Sequence, residues 1–319
     1  MGHPDTAAVA APAYARFIWT LIAAMATVTF AGCALTGVNP DLVSHPLLLL
    51  PFAVLGVTRW FYGSVRPDAR LKNFAESATQ LLLVLLLGTI LSYAAAAGPV
   101  PFQDGTLLAI DQALGLDRKA YLAFFDSIPW LYNTVTLAYF TFSPQFVVVL
   151  LVLFACNRPQ RLQQFAFATG AALLATDLIS VVTPSITTIY LDLGLPVGTE
   201  IPAHRYTPLP TLQALRSGEP YTIDLSAVEG LISFPSFHTI GGILFVWALW
   251  PVPVVCWIAL ALNVALIAAT PFIGAHYFID IAGGAGVALS AIAAARWLSR
   301  RAVATVEVAD AREVLAPAE

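Results

Sequence analysis

FAESATQLLLVLLLGTILSYAAAA, residues 74–97, holds one charged residue, Glu76, in twenty-four positions. An α-helix crossing the hydrocarbon core of a bilayer needs about 17 to 25 predominantly apolar residues, and this run meets that demand. Working outward, comparable runs fall at 17–38 and 46–62 before it, and at 129–154, 162–190, 237–256, 257–273 and 277–298 after it. The expected fold is therefore all-α, a polytopic transmembrane bundle of about eight spans. Pro251 and Pro253 alone separate the sixth and seventh runs.

The whole chain agrees with its most apolar stretch. Of 319 residues, 59% are hydrophobic and 11% charged, with a mean hydropathy of +0.79. A soluble domain places roughly a quarter of its residues as Asp, Glu, Lys or Arg, so most of this chain must face lipid. Fifteen cations against a net charge of -4 are too thinly spread to form a nucleic-acid surface. Cys33, Cys156 and Cys256 lie far apart, in or beside apolar runs, and read as packing thiols whose spacing fits neither zinc nor haem. The first sixteen residues lack a cationic segment ahead of a short apolar one, so the first run reads as an uncleaved helix.

Lys and Arg flanking short loops stay in the cytoplasm, and one orientation collects most of them. With the amino terminus inside, Arg16, Arg59, Arg66, Arg70, Lys72, Arg158, Arg161, Arg296, Arg300, Arg301 and Arg312 are cytoplasmic, eleven of the fifteen. The carboxyl terminus then returns to the cytoplasm with a polar tail, 299–319, expected to be disordered. Two long loops, 98–128 and 191–236, fall on the periplasmic or luminal side of an inner or plasma membrane. The first of them, with Asp104, Asp111, Asp117, Arg118 and Lys119 among apolar residues, reads as an amphipathic stretch on the membrane surface, with no chemistry assigned.

Two segments place ionisable groups at helix starts on that outer side. In Leu231-Ile232-Ser233-Phe234-Pro235-Ser236-Phe237-His238-Thr239, the proline sets a helix start near Ser236. The free amides of that first turn suit a phosphate oxygen. In Thr270-Pro271-Phe272-Ile273-Gly274-Ala275-His276-Tyr277-Phe278-Ile279-Asp280, His276 and Asp280 stand four apart. On a helix they share a face, so the carboxylate can hold one imidazole nitrogen while the other meets substrate. Gly241 and Gly242 follow the first histidine, and Gly283, Gly284 and Gly286 the aspartate, which lets the two helices approach closely. Alone, each histidine could equally bond to backbone at the membrane rim, and a His/Asp pair could be a structural clamp. Together, in spans almost empty of charge, they point to function. Two further carboxylates stand out. Asp177, beside Thr176 and Ser180 in an apolar span, reads as a structural hydrogen-bonding group; Glu229 reads as a loop carboxylate or an orienter of His238.

Pro235-Ser236-Phe237-His238 resembles the Pro-Ser-Gly-His motif of the type 2 phosphatidic acid phosphatase superfamily. His276 with Asp280 resembles its last motif. The fuller runs 233–238 and 276–280 are more similar still to the inositol phosphorylceramide synthase branch, a part of sphingolipid metabolism. The resemblance covers about residues 70–298. It implies a six-helix catalytic core there, with 1–69 a cytoplasmic amino terminus plus two extra helices and 299–319 the polar tail. It also implies that His276 attacks phosphorus to form a phosphohistidine, that Asp280 supports it, and that His238 protonates the leaving alkoxide and then activates the acceptor. No cofactor or metal is implied.

The departures decide between branches. Phosphatases of the superfamily hold phosphate with a Lys and an Arg of a first motif and an Arg six residues before the last histidine. Here Thr270 holds that last place, and no first motif precedes span five. A phosphomonoester carries nearly two charges and needs cations, whereas a phosphodiester carries one. Helix amides with Ser236, Thr239, Thr270 and a loop cation, Arg205 or Arg216, are then the expected substrate contacts. The partners expected are a phospholipid donor and a hydroxyl acceptor, lipid or sugar, or water. A lipid or sugar acceptor makes the protein a transferase, the preferred reading, and water makes it a lipid phosphatase. The rival of another class is a transporter or scaffold that kept the fold without catalysis.

Overall fold

The structure is a computed structural model that describes residues 4–188 and 208–315, with side chains for 14–188 and 208–302. It is an all-α helical bundle whose only sheet, among the described residues, is a two-stranded parallel pair. Helix α1 spans Pro4–Thr36, and a 3₁₀ turn at Pro46–Leu49 leads into α2, Leu50–Trp60, which ends in a π turn. Then come α3, Ala69–Ala96; α4, Asp104–Ala113; α5, Arg118–Asp126; α6, Pro129–Phe140; and α7, Phe142–Ala155. After α8, Pro159–Val182, the chain forms α9, Leu209–Leu215; α10, Phe237–Leu249; α11, Val255–Ala269; and α12, Phe278–Leu315.

Among the described residues, five helical segments are long and apolar enough to cross a membrane: Tyr14–Thr36, Pro46–Val65, Ala69–Ala96, Pro159–Val182 and Phe278–Ala302. The protein is thus multi-pass. The run 129–154 forms α6 and α7, which pass the same test together and are bent by 61° at their junction, a broken span or a re-entrant loop. Pro144 explains the break, since it offers no N–H to the carbonyl of Phe140 and its ring would clash with it, so a continuous helix cannot pass Thr141. The run 162–190 ends early, at Val182, because Pro184 cannot continue the helix.

The sixth and seventh runs form the shorter helices α10 and α11, 13 and 15 residues long. At 1.5 Å per residue each reaches roughly 20 Å, less than a hydrocarbon core of about 30 Å. Non-helical segments adjoin them. Ser233, Ser236, Thr270 and His276, in 231–236 and 270–277, are all buried. Irregular backbone is tolerated at membrane depth only when protein covers it in this way.

Helix α1 packs against α3, α8 and α12, so the first span is built into the bundle. Tyr14 donates to the Ala295 carbonyl and Gln80 to that of Ala15, tying three of these helices through backbone oxygens. By contrast α2 has no buried residue and rests on α3. The tail expected to be disordered is helical through Leu315, where Ala, Arg, Glu and Val extend α12 without a breaker.

One end of the bundle is cationic. Arg70 donates to the carbonyls of Phe154 and Ala155, and Arg161 and Arg296 both lie against the Trp247 ring. The opposite end gathers the segments that join the helices there. There β1, Val38–Pro40, pairs with β2, Tyr221–Ile223, fastening the chain after α1 to the chain that leads into α10.

Candidate active site

Ser236 is the N-cap of α10, one residue ahead of its first turn, and its hydroxyl accepts from the Thr239 amide at 3.4 Å. The amides of Phe237 and His238 are the orphan donors every helix start leaves. On α12 Asp280 lies in the first turn, with His276 just ahead of the helix. The two helix starts meet because α12 carries glycines there. A Cβ at Gly284 would lie 2.6 Å from the Ser236 carbonyl oxygen, and one at Gly283 would lie 2.6 Å from the Phe234 ring. The Ser236 amide also donates to the Asp280 carbonyl at 3.0 Å.

Asp280 Oδ2 is the centre of the site. It lies 3.1 Å from His276 Nδ1 and accepts from the Tyr277 amide at 3.0 Å and the Ser233 hydroxyl at 2.6 Å. A carboxylate only accepts, so Nδ1 carries the proton and Nε2 holds a lone pair. Nε2 faces the Ser236 hydroxyl at 3.4 Å, a long contact that a substrate oxygen can replace. His276 is 4% exposed and Asp280 fully buried.

His238 lies across the site from this pair. Its ring stacks on Tyr139 at 4.4 Å, packs at a tilt against Phe142 at 4.3 Å, and stands 6.3 Å from the His276 ring, centroid to centroid. Its nitrogens have no hydrogen-bond partner among the described residues. The aromatic walls, from the bend between α6 and α7, hold the ring by its faces and leave its edge for chemistry.

The other sequence candidates divide. Thr239 is buried with its hydroxyl lacking a partner among the described residues, so it is available to a ligand beside the first turn of α10. Thr270 is also buried, but its hydroxyl is turned back on its own helix, donating to the Ile267 carbonyl at 2.8 Å, while its own carbonyl accepts from the His276 amide. Its part is to shape the turn. Arg216 donates to the carbonyls of Ala96 and Val100 at 3.0 Å each and lies over the Phe102 ring, clamping the end of α3, while its second terminal nitrogen is buried without a hydrogen-bond partner among the described residues. Arg205 lies outside the described residues. Glu229 accepts from Thr211 and is no orienter of His238. Asp177 is buried with Oδ2 lacking a hydrogen-bond partner among the described residues, contrary to the structural hydrogen bond expected of it.

The segment 98–128 contributes more than the surface helix expected of it. Asp104 and Asp111 of α4 are both buried and reach the start of α12. Asp111 accepts from the amides of Phe278 and Ile279, at 2.8 and 2.9 Å. Asp104 accepts from the Ser185 hydroxyl, the Ile186 amide and the Tyr277 hydroxyl. Burial pushes both carboxyls above the usual carboxylate range, and these hydrogen bonds act in the opposite sense. On α5, Arg118 donates to the Pro271 carbonyl at 2.6 Å and Tyr121 to that of Ala268. The sequence offered one signal of this, since residues 104 and 111 are two turns apart and share a helix face.

Two residues beside the dyad adopt left-handed backbone without being glycine, Ala275 with φ 50° and Thr187 with φ 77°. Such conformations cost of order 1–3 kcal/mol each and persist only where the surroundings impose them. Here Thr188 donates both its amide and its hydroxyl to the Ala275 carbonyl, at 2.9 and 3.1 Å.

The model of the PAP2 superfamily matches residues 105–294, a stretch that contains both helix starts and α4 after its first residue. No curated protein matches the chain, and no solved structure does.

Proposed function

The chain belongs to the PAP2 superfamily and is a membrane enzyme of lipid phosphatase or phosphotransferase type, and within that class we propose a phosphotransferase similar to the inositol phosphorylceramide synthases. The observation that carries the reading is the pairing of an Asp280-held His276 with a second histidine 6.3 Å away, centroid to centroid. Rings this close face one shared space, so a group held between them meets both imidazoles, one as nucleophile and the other as proton donor.

His276 Nε2 attacks phosphorus, and the bond to the lipid oxygen breaks as His238 gives that oxygen its proton. Diacylglycerol leaves, and the head-group phosphate stays on Nε2. The acceptor hydroxyl then yields its proton to His238 while its oxygen attacks phosphorus, freeing His276. Asp280 stabilises the imidazolium that develops in the first step. The α10 amides with Ser236 and Thr239 receive the phosphate oxygens, a set suited to a singly charged diester. The site faces away from the cytoplasm, opposite the arginine-rich end.

A second acceptor, water, is favoured by one observation. Arg118 brings a guanidinium to the carbonyl of Pro271, beside the place where superfamily phosphatases carry their arginine. Product analysis separates the two. Purified protein given short-chain phospholipid and a lipid alcohol should release diacylglycerol and form the new diester. Release of inorganic phosphate would mark a phosphatase instead.

A further inference from the structure

The dyad is gripped from behind by two carboxylates of α4, a helix that contributes nothing to the chemistry described above. Asp111 places one oxygen on each of the first two amides of α12, 2.8 Å from Phe278 N and 2.9 Å from Ile279 N. These are two of the three residues between His276 and Asp280. Two amides on two carboxylate oxygens fix both the position and the roll of that turn, because moving either amide breaks its bond. A negative charge is also favourable at this positive end of the helix.

Asp104, on the same face seven residues earlier, works on the other flank. It takes the Tyr277 hydroxyl at 3.1 Å and the Ser185 hydroxyl at 2.7 Å, and its second oxygen takes the Ile186 amide at 3.1 Å. The segment it holds, 185–188, is the one whose Thr188 bonds the Ala275 carbonyl, next to His276. The backbone on both sides of His276 therefore hangs on α4. Asp111 also fills the amide nest of α12, which leaves the α10 start as the place for a substrate phosphate.

We propose that Asp111, with Asp104 as its companion, is a positioning residue that sets the His276–Asp280 hydrogen bond and hence the aim of Nε2. The turnover part of this rests on the reading of His276 as nucleophile; the geometric part does not. An Asp111→Asn side chain has one acceptor oxygen, so it must turn an NH₂ group toward one of the two amides. Displacing a reacting group by about 1 Å can cost on the order of 100-fold in rate.

The test combines turnover with a spectroscopic view of the ring. The chain has five histidines, few enough for ¹⁵N-histidine labelling with assignment by single substitution. Wild type, Asp111→Asn and Asp280→Asn are compared for the His276 Nδ1 resonance and for kcat and KM with a nitrophenyl phosphodiester. The expectation is that Asp111→Asn moves the Nδ1 resonance toward its position in Asp280→Asn, and lowers kcat about 10- to 100-fold with KM unchanged. Adding Asp111→Asn to Asp280→Asn should cost less than it does alone. Tyr277→Phe, which deletes only the hydroxyl on Asp104, gives the same readouts where Asp111→Asn fails to accumulate. An unmoved resonance and unchanged kcat in the variants overturns the proposal, and leaves the enzyme reading intact. A moved resonance in a protein whose wild type turns over no phosphodiester supports the positioning role and removes the function.

Discussion

Ser233 donates its hydroxyl to Oδ2 of Asp280 at 2.6 Å, the same oxygen that holds Nδ1 of His276. A buried carboxylate oxygen with three donors is fixed in place, and the imidazole it holds is fixed with it. The short bond also spans the site, since Ser233 precedes α10 and Asp280 belongs to α12.

Ser233→Ala should therefore act on catalysis beyond its size. Hydrogen bonds to charged groups contribute about 1.5–3 kcal/mol, and removing this one leaves a buried acceptor short of a donor. Each 1.36 kcal/mol of lost transition-state stabilisation is tenfold in rate, so kcat should fall about tenfold or more. Steady-state kinetics beside a thermal melt check this, and unchanged kcat would mean that the Tyr277 amide suffices to hold Asp280.

Gly284→Ala should separate the two helix starts. The added methyl would lie 2.6 Å from the Ser236 carbonyl oxygen, a backbone atom that cannot move aside cheaply. Overpacking of this kind costs about 1–3 kcal/mol. Gly286→Ala is the control, since nothing lies within 4 Å of its Cβ position. Thermal melts and turnover of the pair should show loss for the first and none for the second.

The same two glycines show how far the sequence could be read. Charge depletion exposed the spans, and the spacing of His276, Asp280 and the glycines exposed the dyad and the close approach, because these are local patterns. Pro144 is equally local, yet 129–154 reads as one unbroken run by hydropathy, which does not weigh a single proline. The support from α4 was not legible, since Asp104 meets Tyr277 across 173 residues and only the fold brings them together. The contacts of Arg216 were not legible either. It is near His238 along the chain, yet three contacts hold it at the end of α3.

The orientation can be read with thiol labelling. Ser217 is exposed at the end of α9, and native Cys156 is exposed after α7, at the cationic end. In intact cells, Ser217→Cys in a Cys33→Ala background should react with an impermeant maleimide, while Cys156 reacts only after permeabilisation. The opposite pattern would put the site in the cytoplasmic leaflet.

Activity should survive EDTA. Asp280 Oδ2 holds His276 together with Ser233 and the Tyr277 amide, which is the arrangement of an orienting group, and the buried Oδ1, without a hydrogen-bond partner among the described residues, is the atom a metal would have to take. Loss of turnover restored by magnesium or zinc would reassign the histidines as ligands.

The most direct test of the account is where phosphorus becomes attached. With a nitrophenyl ester the leaving group departs without a proton, so His238→Ala should still form the covalent intermediate. It should release that intermediate slowly, for want of the base that activates the acceptor. Rapid quenching at alkaline pH, which preserves phosphohistidine, followed by peptide mass spectrometry should find the phosphate-bearing group on His276, more of it in His238→Ala than in wild type, and none in His276→Ala. An adduct on His238 would exchange the two roles, and turnover of His276→Ala at the wild-type rate, with no adduct on any protein, would contradict covalent catalysis by this site.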